Sequence, residues 1–308
     1  MKPAPFAYHR AHSVAEAVAL LAELGDEAKI LAGGLSLVPM MNFRLARPAA
    51  LVDVSRIEGL SYLRPGTEDG LRIGALTTHR TVEVSRDPAV LGDFGVLPRS
   101  APWIGHYPIR SRDTFGGSIA HADPTSEWCL LAVLLDARVV LTGPDRTRTV
   151  PAAGFFQGYY STAAAPDEMI TELWFPAPAP NAVLTEFAQR QGDFAVVAAA
   201  VSADIDGGVC QQGRVVLGGV GPLPVEVDAG PLGGQPATEQ TWRAMGEHAA
   251  GQIDPPPTSP SPFTDTHGDA GFRRRLTATL VARALAEANQ LAEANQLAGA
   301  NQLAEGGG

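Results

Sequence analysis

The chain has 308 residues, 45% of them hydrophobic, and a formal net charge of −10. The length predicts two domains, the hydrophobic content is sufficient for a packed core, and the acidic balance argues against nucleic acid as a partner. No apolar run is long enough to span a bilayer and the N-terminus lacks a signal-peptide core, so we expect a cytoplasmic protein without a membrane span.

The N-terminal half predicts helices mixed with short strands. Ser13 and Glu16 have capping-box spacing before an apolar stripe, which predicts a helix over residues 14–24. Helices are also expected after His79 and from Ser126 to Leu135, and short apolar runs predict strands at 29–31, 51–54, 71–74 and 138–141. The order lacks regular βαβ repetition, which favours an α+β fold over a doubly wound sheet.

The C-terminal part begins after a Pro/Ala stretch at residues 176–180 that is typical of a stiff linker. The pattern predicts β-rich segments over 194–205 and 214–220, a turn at 218–222, a helix over 239–250, a Pro/Ser-rich loop over 254–262 and a final helix over 270–285. The sequence LAEANQ then repeats with a period of six, so its leucines do not line one seam of a helix. We interpret the repeat as a low-complexity tail on the last helix, frayed beyond Glu305.

The chain contains only two cysteines, Cys129 and Cys210. An iron–sulfur cluster generally takes four protein ligands, so these two cannot hold one alone. We expect both to be buried thiols rather than a disulfide, as is typical of a cytosolic chain. Any iron–sulfur centre must therefore lie on another polypeptide.

Two short turns contain adjacent glycines: the first glycine turn is AGGLS at residues 32–36, and the second is TFGGS at residues 114–118. Glycine allows unusual backbone dihedrals and close approach to a ligand, and successive N–H groups in such a turn can form an anion-binding concavity. One Gly-Gly pair alone is typical of an ordinary tight turn, but two of them could grip one diphosphate from two sides. Neither turn matches a Rossmann or P-loop pattern, so a dinucleotide would bind in another fold.

The segments around both turns are more specific than the turns themselves. They read NFRLARP at 42–48, GALTTH at 74–79, ADP at 122–124, FFQGYY at 155–160, DEMI at 167–170, RQGDFA at 190–195 and FRRRL at 272–276. In this order, and over about residues 6–285, the motifs resemble the FAD-binding medium subunit of the molybdenum hydroxylases. That family includes the flavoprotein subunits of xanthine, carbon monoxide, aldehyde and N-heterocycle dehydrogenases.

The resemblance implies a domain organisation. An FAD-binding domain of the PCMH (vanillyl-alcohol-oxidase-like) type would span residues 1–178, in two subdomains with a boundary near residue 58. A smaller α+β domain like the C-terminal domain of the carbon monoxide dehydrogenase flavoprotein would span residues 179–286, and the repeat tail would span residues 287–308.

The resemblance also implies a function, that of an FAD-containing electron-transfer subunit in a heterotrimeric molybdenum hydroxylase. Substrate would be hydroxylated at a molybdopterin centre on a large subunit. Electrons would pass through [2Fe–2S] clusters on a small subunit to the FAD of this chain, and then to an external acceptor such as NAD⁺ or a quinone. Two other functions stay open: a stand-alone FAD-dependent oxidase, although no substrate domain of the expected size remains, and a non-catalytic FAD-binding assembly module.

The resemblance assigns contacts with FAD residue by residue, and assigns no catalytic or metal-ligating residue. The first glycine turn would hold the pyrophosphate through backbone N–H groups, and the second turn would close on it from the other side. Asp123 would hydrogen-bond the cofactor. Residues 101 and 104 would flank the adenine half, and residues 170 and 194 would flank the isoalloxazine. The full set is Leu31, Ala32, Gly33, Gly34, Leu35, Ser36, Leu37, Ala101, Ile104, Thr114, Gly116, Gly117, Ser118, Asp123, Ile170 and Phe194. The alternatives are an ordinary turn residue for Asp123 and plain core packing for Ile170 and Phe194.

The sequence departs from the family pattern near the turns. Leu35 replaces a residue that is often polar, Ser111 and Asp113 stand where Asn and Gly are common, and Ala188 stands where some relatives carry a lysine near the flavin. Because Asp113 adds negative charge near a diphosphate, we expect it to point away or to pair with Arg110 or Arg112. Neither His79 nor His121 is assigned a proton-transfer role.

Overall fold

The computed structural model describes residues 2–65, 70–253 and 268–306. The Pro/Ser-rich loop expected over 254–262 lies outside the described residues. The chain begins with a parallel sheet of three strands in the order β1-β3-β2. Its elements are β1 (Ala7–Arg10), α1 (Val14–Leu24), β2 (Ala28–Leu31), α2 (Leu37–Asn42) and β3 (Ala50–Asp53).

Helix α1 has the predicted bounds because its start is specified locally. The Oγ of Ser13 accepts the N–H of Glu16 at 3.1 Å, as the capping-box spacing predicts. The reciprocal bond differs in detail, since the carboxylate of Glu16 accepts the N–H of His12 at 2.8 Å instead of that of Ser13. Ala17, Val18 and Leu21 form the buried face of the helix over the parallel sheet.

The second part of the chain is an antiparallel sheet of five strands in the order β4-β5-β10-β6-β7, covered by short helices. Aromatic residues fill the core between sheet and helices, and Phe115 stacks on Trp128 with ring centroids 4.7 Å apart. The elements are β4 (Leu63–Pro65), β5 (Leu71–Gly74), α3 (His79–Glu83), α4 (Pro88–Asp93), α5 (Val96–Ser100), α6 (Tyr107–Arg110), α7 (Phe115–His121), α8 (Glu127–Leu134), β6 (Arg138–Thr142), β7 (Thr147–Pro151), α9 (Ala152–Phe155), β8 (Phe156–Gly158), β9 (Ser161–Thr162) and β10 (Met169–Phe175).

The third part is an antiparallel sheet in the order β11-β12-β13-β14, with β15 beside β13 and two helices packed on it. Strand β12 is buried on both faces: Val197, Ala199 and Val201 pack with the helices of this part, whereas Ala198 and Ala200 join the core around α8. The elements are β11 (Val183–Phe187), β12 (Val197–Asp206), β13 (Val209–Gly218), β14 (Val225–Val227), β15 (Gln235–Pro236), α10 (Glu239–Gly251) and α11 (Ala270–Gly306). Burial on both faces explains why the sequence here is a continuous apolar run.

The final helix continues into the repeat, as the sequence predicts. It passes Leu285 and runs without interruption to Gly306, through all copies of the repeat. Ala288 and Ala292 are buried in the same core as Val281 and Leu285, because positions three, four and seven residues apart lie on one face of a helix. The first copies of the repeat are therefore packed against the sheet.

The predictions of secondary structure and of two unpaired buried cysteines are confirmed. The predicted strands and helices are present, with ends that move by a few residues, and the described ranges combine helices, one parallel sheet and antiparallel sheets in a mixed α+β arrangement. Cys129 and Cys210 are both free and buried. Within the described ranges no helix is both long and apolar enough to cross a bilayer.

Candidate functional site

The first glycine turn connects β2 to α2 and presents consecutive unused donors. Gly34 has a φ of +80°, a left-handed conformation that residues with a side chain rarely adopt. The backbone N–H groups of residues 32–37 donate to no atom among the described residues. Ser36 occupies the position before α2, and its hydroxyl makes no capping bond there. The turn therefore offers a row of N–H groups and a free hydroxyl to an anion.

The second glycine turn forms the start of helix α7 and uses its donors differently. Its first N–H groups are all occupied by protein acceptors: Phe115 donates to the carbonyl of Thr77 at 2.8 Å, Gly116 to that of Ala75 at 2.9 Å, Gly117 to the Oγ1 of Thr114 at 3.1 Å and Ser118 to the carbonyl of Thr114 at 3.0 Å. The hydroxyl of Ser118 lies 2.9 Å from that of Ser126. This turn therefore contributes shape and hydroxyl groups to the site, while the unused backbone donors lie in the first turn.

The structure brings Gly33 of the first turn against Arg112 and Asp113, the two residues that directly precede the second turn. A Cβ atom at Gly33 would lie 2.6 Å from both the Cα and the Oδ1 of Asp113, and 2.8 Å from the carbonyl oxygen of Arg112. The Nε of Arg112 donates to the carbonyl of Gly33 at 3.0 Å across the same contact. Glycine is needed here because of this close approach, whereas Gly34 is needed for its φ angle.

Asp113 does not have the partner that the sequence predicts. Arg110 donates to Glu83 at 2.9 Å, and the Nε of Arg112 is used by Gly33. The Oδ2 of Asp113 instead lies 3.8 Å from the Nε2 of His79, a fully buried side chain. Of the two expected alternatives, the pairing with Arg110 or Arg112 is wrong, because both arginines are used by nearer acceptors, and the other, that Asp113 points away from the diphosphate, stays a prediction.

Asp123 is buried in a small polar cluster that follows the second turn. Its Oδ1 accepts the N–H and the hydroxyl of Thr125 at 2.8 and 2.7 Å, so it acts as a turn residue. Its Oδ2 accepts a longer hydrogen bond of 3.3 Å from Tyr160, a residue with a φ of +53° whose ring lies against His121. Burial lowers the pKa of His121 and outweighs the nearby carboxylates of Asp123 and Asp113, which favours the neutral imidazole.

The two positions that the resemblance assigns to the adenine half lie beside α5. Ala101 is fully buried in the core, and Ile104 is half-buried at the end of the turn that follows it. The loop from 188 to 196 reaches the same segment, because a Cβ at Gly192 would lie 2.6 Å from the ring of His106. The loop that carries Phe194 therefore packs against the segment that carries Ile104.

The two positions assigned to the isoalloxazine differ in environment. Ile170 is only 8% exposed and packs in the core, beside Leu141 of the neighbouring strand. Phe194 is 68% exposed, so plain core packing does not explain it. A large exposed aromatic ring is suited to cover a planar ligand.

Sequence reasoning missed Arg112 and Tyr160. Arg112 is the cation that the described contacts place against the first glycine turn, and the sequence offered a weak signal, a basic residue just before the second turn. Tyr160 touches Asp123 from the FFQGYY motif, which carries the family resemblance without showing which of its two tyrosines makes that contact. Taken together, a row of unused N–H groups, the Ser36 hydroxyl and the Arg112 guanidinium fit the diphosphate of a dinucleotide.

Two family models match the chain. The model described as FAD binding domain in molybdopterin dehydrogenase matches residues 4–178, and the model described as CO dehydrogenase flavoprotein C-terminal domain matches residues 182–288. The chain is 36% identical to the 6-hydroxypseudooxynicotine dehydrogenase complex subunit alpha of Paenarthrobacter nicotinovorans, over 94% of this chain and 96% of that protein. It is 35% identical to the carbon monoxide dehydrogenase medium chain of Hydrogenophaga pseudoflava, over 94% of this chain and 98% of that protein.

Solved structures agree with these matches. The carbon monoxide dehydrogenase of Hydrogenophaga pseudoflava contains a chain with a TM-score of 0.87 and 35% identity, which covers 94% of this chain and 99% of that one. Quinoline 2-oxidoreductase from Pseudomonas putida 86 gives a TM-score of 0.87 and 31% identity, with 94% and 99% coverage. With both family models matched and relatives aligned over almost their whole length, this chain belongs to the FAD-binding medium subunits of the molybdenum hydroxylases, a family of oxidoreductases.

Proposed function

We propose that this chain carries electrons through FAD within a heterotrimeric molybdenum hydroxylase. The observation that carries the proposal is the first glycine turn, whose N–H groups over residues 32–37 have no acceptor in the described chain and which meets the second turn at Gly33. Such a row of donors matches the diphosphate of FAD. When bound, FAD supplies reversible electron acceptance, and the chain supplies binding and orientation.

The residues of the site then have distinct roles. The first turn, with Leu31 and Leu37 at its ends and Leu35 within it, binds the diphosphate through backbone N–H groups and the hydroxyl of Ser36. Arg112 adds a guanidinium whose Nε is already held by the carbonyl of Gly33. Thr114 and Ser118 border the diphosphate from the second turn. A fixed guanidinium and fixed N–H groups lose little entropy on binding an anion, which favours tight retention.

The remaining assigned residues orient the two ring systems. Ala101 and Ile104 lie beside the adenine half, and Asp123 accepts a hydrogen bond from the cofactor with its less occupied Oδ2. Ile170 supports one face of the isoalloxazine from the core, and Phe194, whose ring is 68% exposed, covers the isoalloxazine from the surface loop. Covering the flavin in this way excludes water from the redox-active ring.

The partners follow from the same proposal. Two cysteines in the whole sequence are too few for an iron–sulfur cluster, so the [2Fe–2S] clusters belong to a small partner subunit. Molybdopterin belongs to a large partner subunit, and a relative of known structure is described as lacking the Mo-pyranopterin moiety of its molybdenum cofactor. The final acceptor is an external one such as NAD⁺ or a quinone. Two free buried thiols are consistent with a cytoplasmic location.

The first test is purification of the chain together with the products of neighbouring genes, followed by measurement of FAD, iron, molybdenum and subunit ratios. Releasable FAD with iron and molybdenum in co-purifying chains supports the proposal. That complex is then mixed rapidly with carbon monoxide, purines, N-heterocycles and aldehydes in turn, and reduction of the flavin is measured as loss of its visible absorbance. A flavin that is never reduced in the complex would favour the assembly module, and an isolated flavoprotein that oxidises an alcohol or amine by itself would favour the oxidase.

A second test addresses the diphosphate. Titration of the apoprotein with FAD and with riboflavin, which lacks the diphosphate and adenosine, compares binding of the same ring with and without the group that the first turn recognises. We expect FAD to bind far more tightly than riboflavin. Equal affinity for the two ligands would contradict the assignment of the first turn.

A further inference from the structure

Asp113 lies where the two glycine turns meet, and its carboxylate is held in a fixed position. The side chain is 16% exposed, its Oδ1 accepts the N–H of Thr114 at 3.1 Å, and that oxygen also lies against Gly33. Its Oδ2 faces the Nε2 of His79 at 3.8 Å. The carboxylate therefore occupies the border of the first glycine turn and is not free to swing into solvent.

The orientation of His79 is itself fixed from the other side. The indole N–H of Trp128 donates to the Nδ1 of His79 at 2.9 Å, and both side chains are fully buried. An indole N–H can only donate, so Nδ1 must be an acceptor and the imidazole proton lies on Nε2. His79 is thus a neutral ring that turns an N–H toward Asp113 without supplying a full positive charge.

The cations of this region are directed at other acceptors. Arg110 binds Glu83, the Nε of Arg112 binds the carbonyl of Gly33, and in the described chain no Lys or Arg nitrogen lies within 4.0 Å of the Asp113 carboxylate. Asp123 adds a second carboxylate beyond His121, which interacts with both acids. A like charge near a bound anion weakens its binding, and the effect falls as salt screens it.

We propose that Asp113, held by the N–H of Thr114 and facing the neutral ring of His79, is an affinity-determining residue that weakens the retention of the FAD diphosphate by charge repulsion. The inference rests on the proposed FAD site and adds one property to it: the chain binds FAD less tightly, and with a different salt dependence, than its unused N–H groups would allow. Asp113 acts on the diphosphate by electrostatic repulsion across the space beside the first turn, and FAD binding does not require a contact with its side chain.

The test compares FAD affinity of the full-length apoprotein and its Asp113→Gly and Asp113→Asn variants by quenching of flavin fluorescence, at low and at high salt. Both variants remove the charge, and Asn keeps nearly the same shape. We expect about tenfold tighter FAD binding for each at low ionic strength and a smaller gain at about 1 M salt, where the Debye length is about 3 Å. Riboflavin lacks the diphosphate, so its affinity should not change.

Glu239→Gln is the matched control, because it removes one negative charge from the exposed surface of α10 in another part of the chain. Its FAD affinity should equal that of the wild type. Thermal unfolding of each apoprotein establishes that it is folded. If the Asp113→Gly variant is not folded, the Asp113→Asn variant alone provides the test.

The sign of the change decides between repulsion and a purely structural role. If Asp113 served only to hold the turns together, its removal would loosen them and weaken FAD binding at every salt concentration. Weaker or unchanged FAD binding in folded variants would therefore overturn the inference while leaving the FAD site intact. Absence of FAD binding by every chain, the wild type included, would refute the FAD site and the inference with it.

Discussion

Gly33→Ala is the sharpest test of the contact between the two glycine turns. The added methyl carbon would lie 2.6 Å from the Cα and the Oδ1 of Asp113, and 2.8 Å from the carbonyl oxygen of Arg112. The Oδ1 is held by the N–H of Thr114, and the other two atoms are backbone and cannot move without shifting a whole turn. The substitution must therefore push the first turn away from the second.

The size of the effect follows from the cost of forcing extra volume into a packed contact. Overpacking costs about 1–3 kcal/mol, and if this cost falls on the conformation that binds FAD, the affinity decreases by about 5- to 150-fold. Fluorescence titration of the apoprotein with FAD measures the affinity, and urea unfolding of the apoprotein measures how much of the cost falls on the fold itself.

Gly92→Ala is the matched control for the same chemical change. A Cβ at Gly92 would have no neighbour within 4 Å, and the residue lies in helix α4, where alanine is favoured. We expect unchanged FAD affinity and up to about 1 kcal/mol greater stability in this variant. Wild-type FAD affinity and stability in Gly33→Ala would show that the turns do not meet as described.

Three further substitutions test separate features. Arg148 donates to both oxygens of buried Glu168 at 2.7 Å and so lowers the pKa of that carboxyl. The stabilisation from this pair is present above the ordinary value of 4.5 and is lost as pH falls below it. Glu168→Gln should therefore cost about 1–3 kcal/mol at pH 7 in urea unfolding, and the difference from wild type should shrink as pH falls. A gap independent of pH would contradict this reasoning. Trp128→Phe leaves the buried Nδ1 of His79 without a donor and should lower the free energy of unfolding by about 1–3 kcal/mol, whereas unchanged stability would show that another donor replaces the indole. Phe194→Ala should alter the flavin absorbance and the rate of flavin reduction while changing the free energy of unfolding by less than about 0.5 kcal/mol, because the ring is 68% exposed. Phe187→Ala is its control, because it removes a ring packed edge-on against Phe272 and should instead lower the free energy of unfolding.

Local signals predicted the secondary structure well where one segment contains the whole cause. Helix α1 begins and ends as predicted, since Ser13 caps it and its apolar stripe faces the sheet within eleven residues. The packing of strand β12 was harder to predict. An apolar run without alternation does not reveal that one face of the strand packs with α10 and α11 and the other with α8. The last helix and its repeat were predicted, but the packing of the repeat was not: it carries no uniform stripe, and only contact with the sheet distinguishes its first copies from its end.

The candidate site divides in the same way. The sequence by itself determined that two glycine turns exist, that Gly34 suits a turn and that the surrounding motifs belong to one family, because backbone freedom and motif order are properties of short segments. Only the tertiary structure decided that the turns touch at Gly33, that the second turn's N–H groups are used by residues 75 and 77, and that Asp113 faces His79. These partners are tens of residues apart in the chain, and a hydrogen bond or a charge contact depends on distance in space, which the spacing of residues in a sequence does not specify.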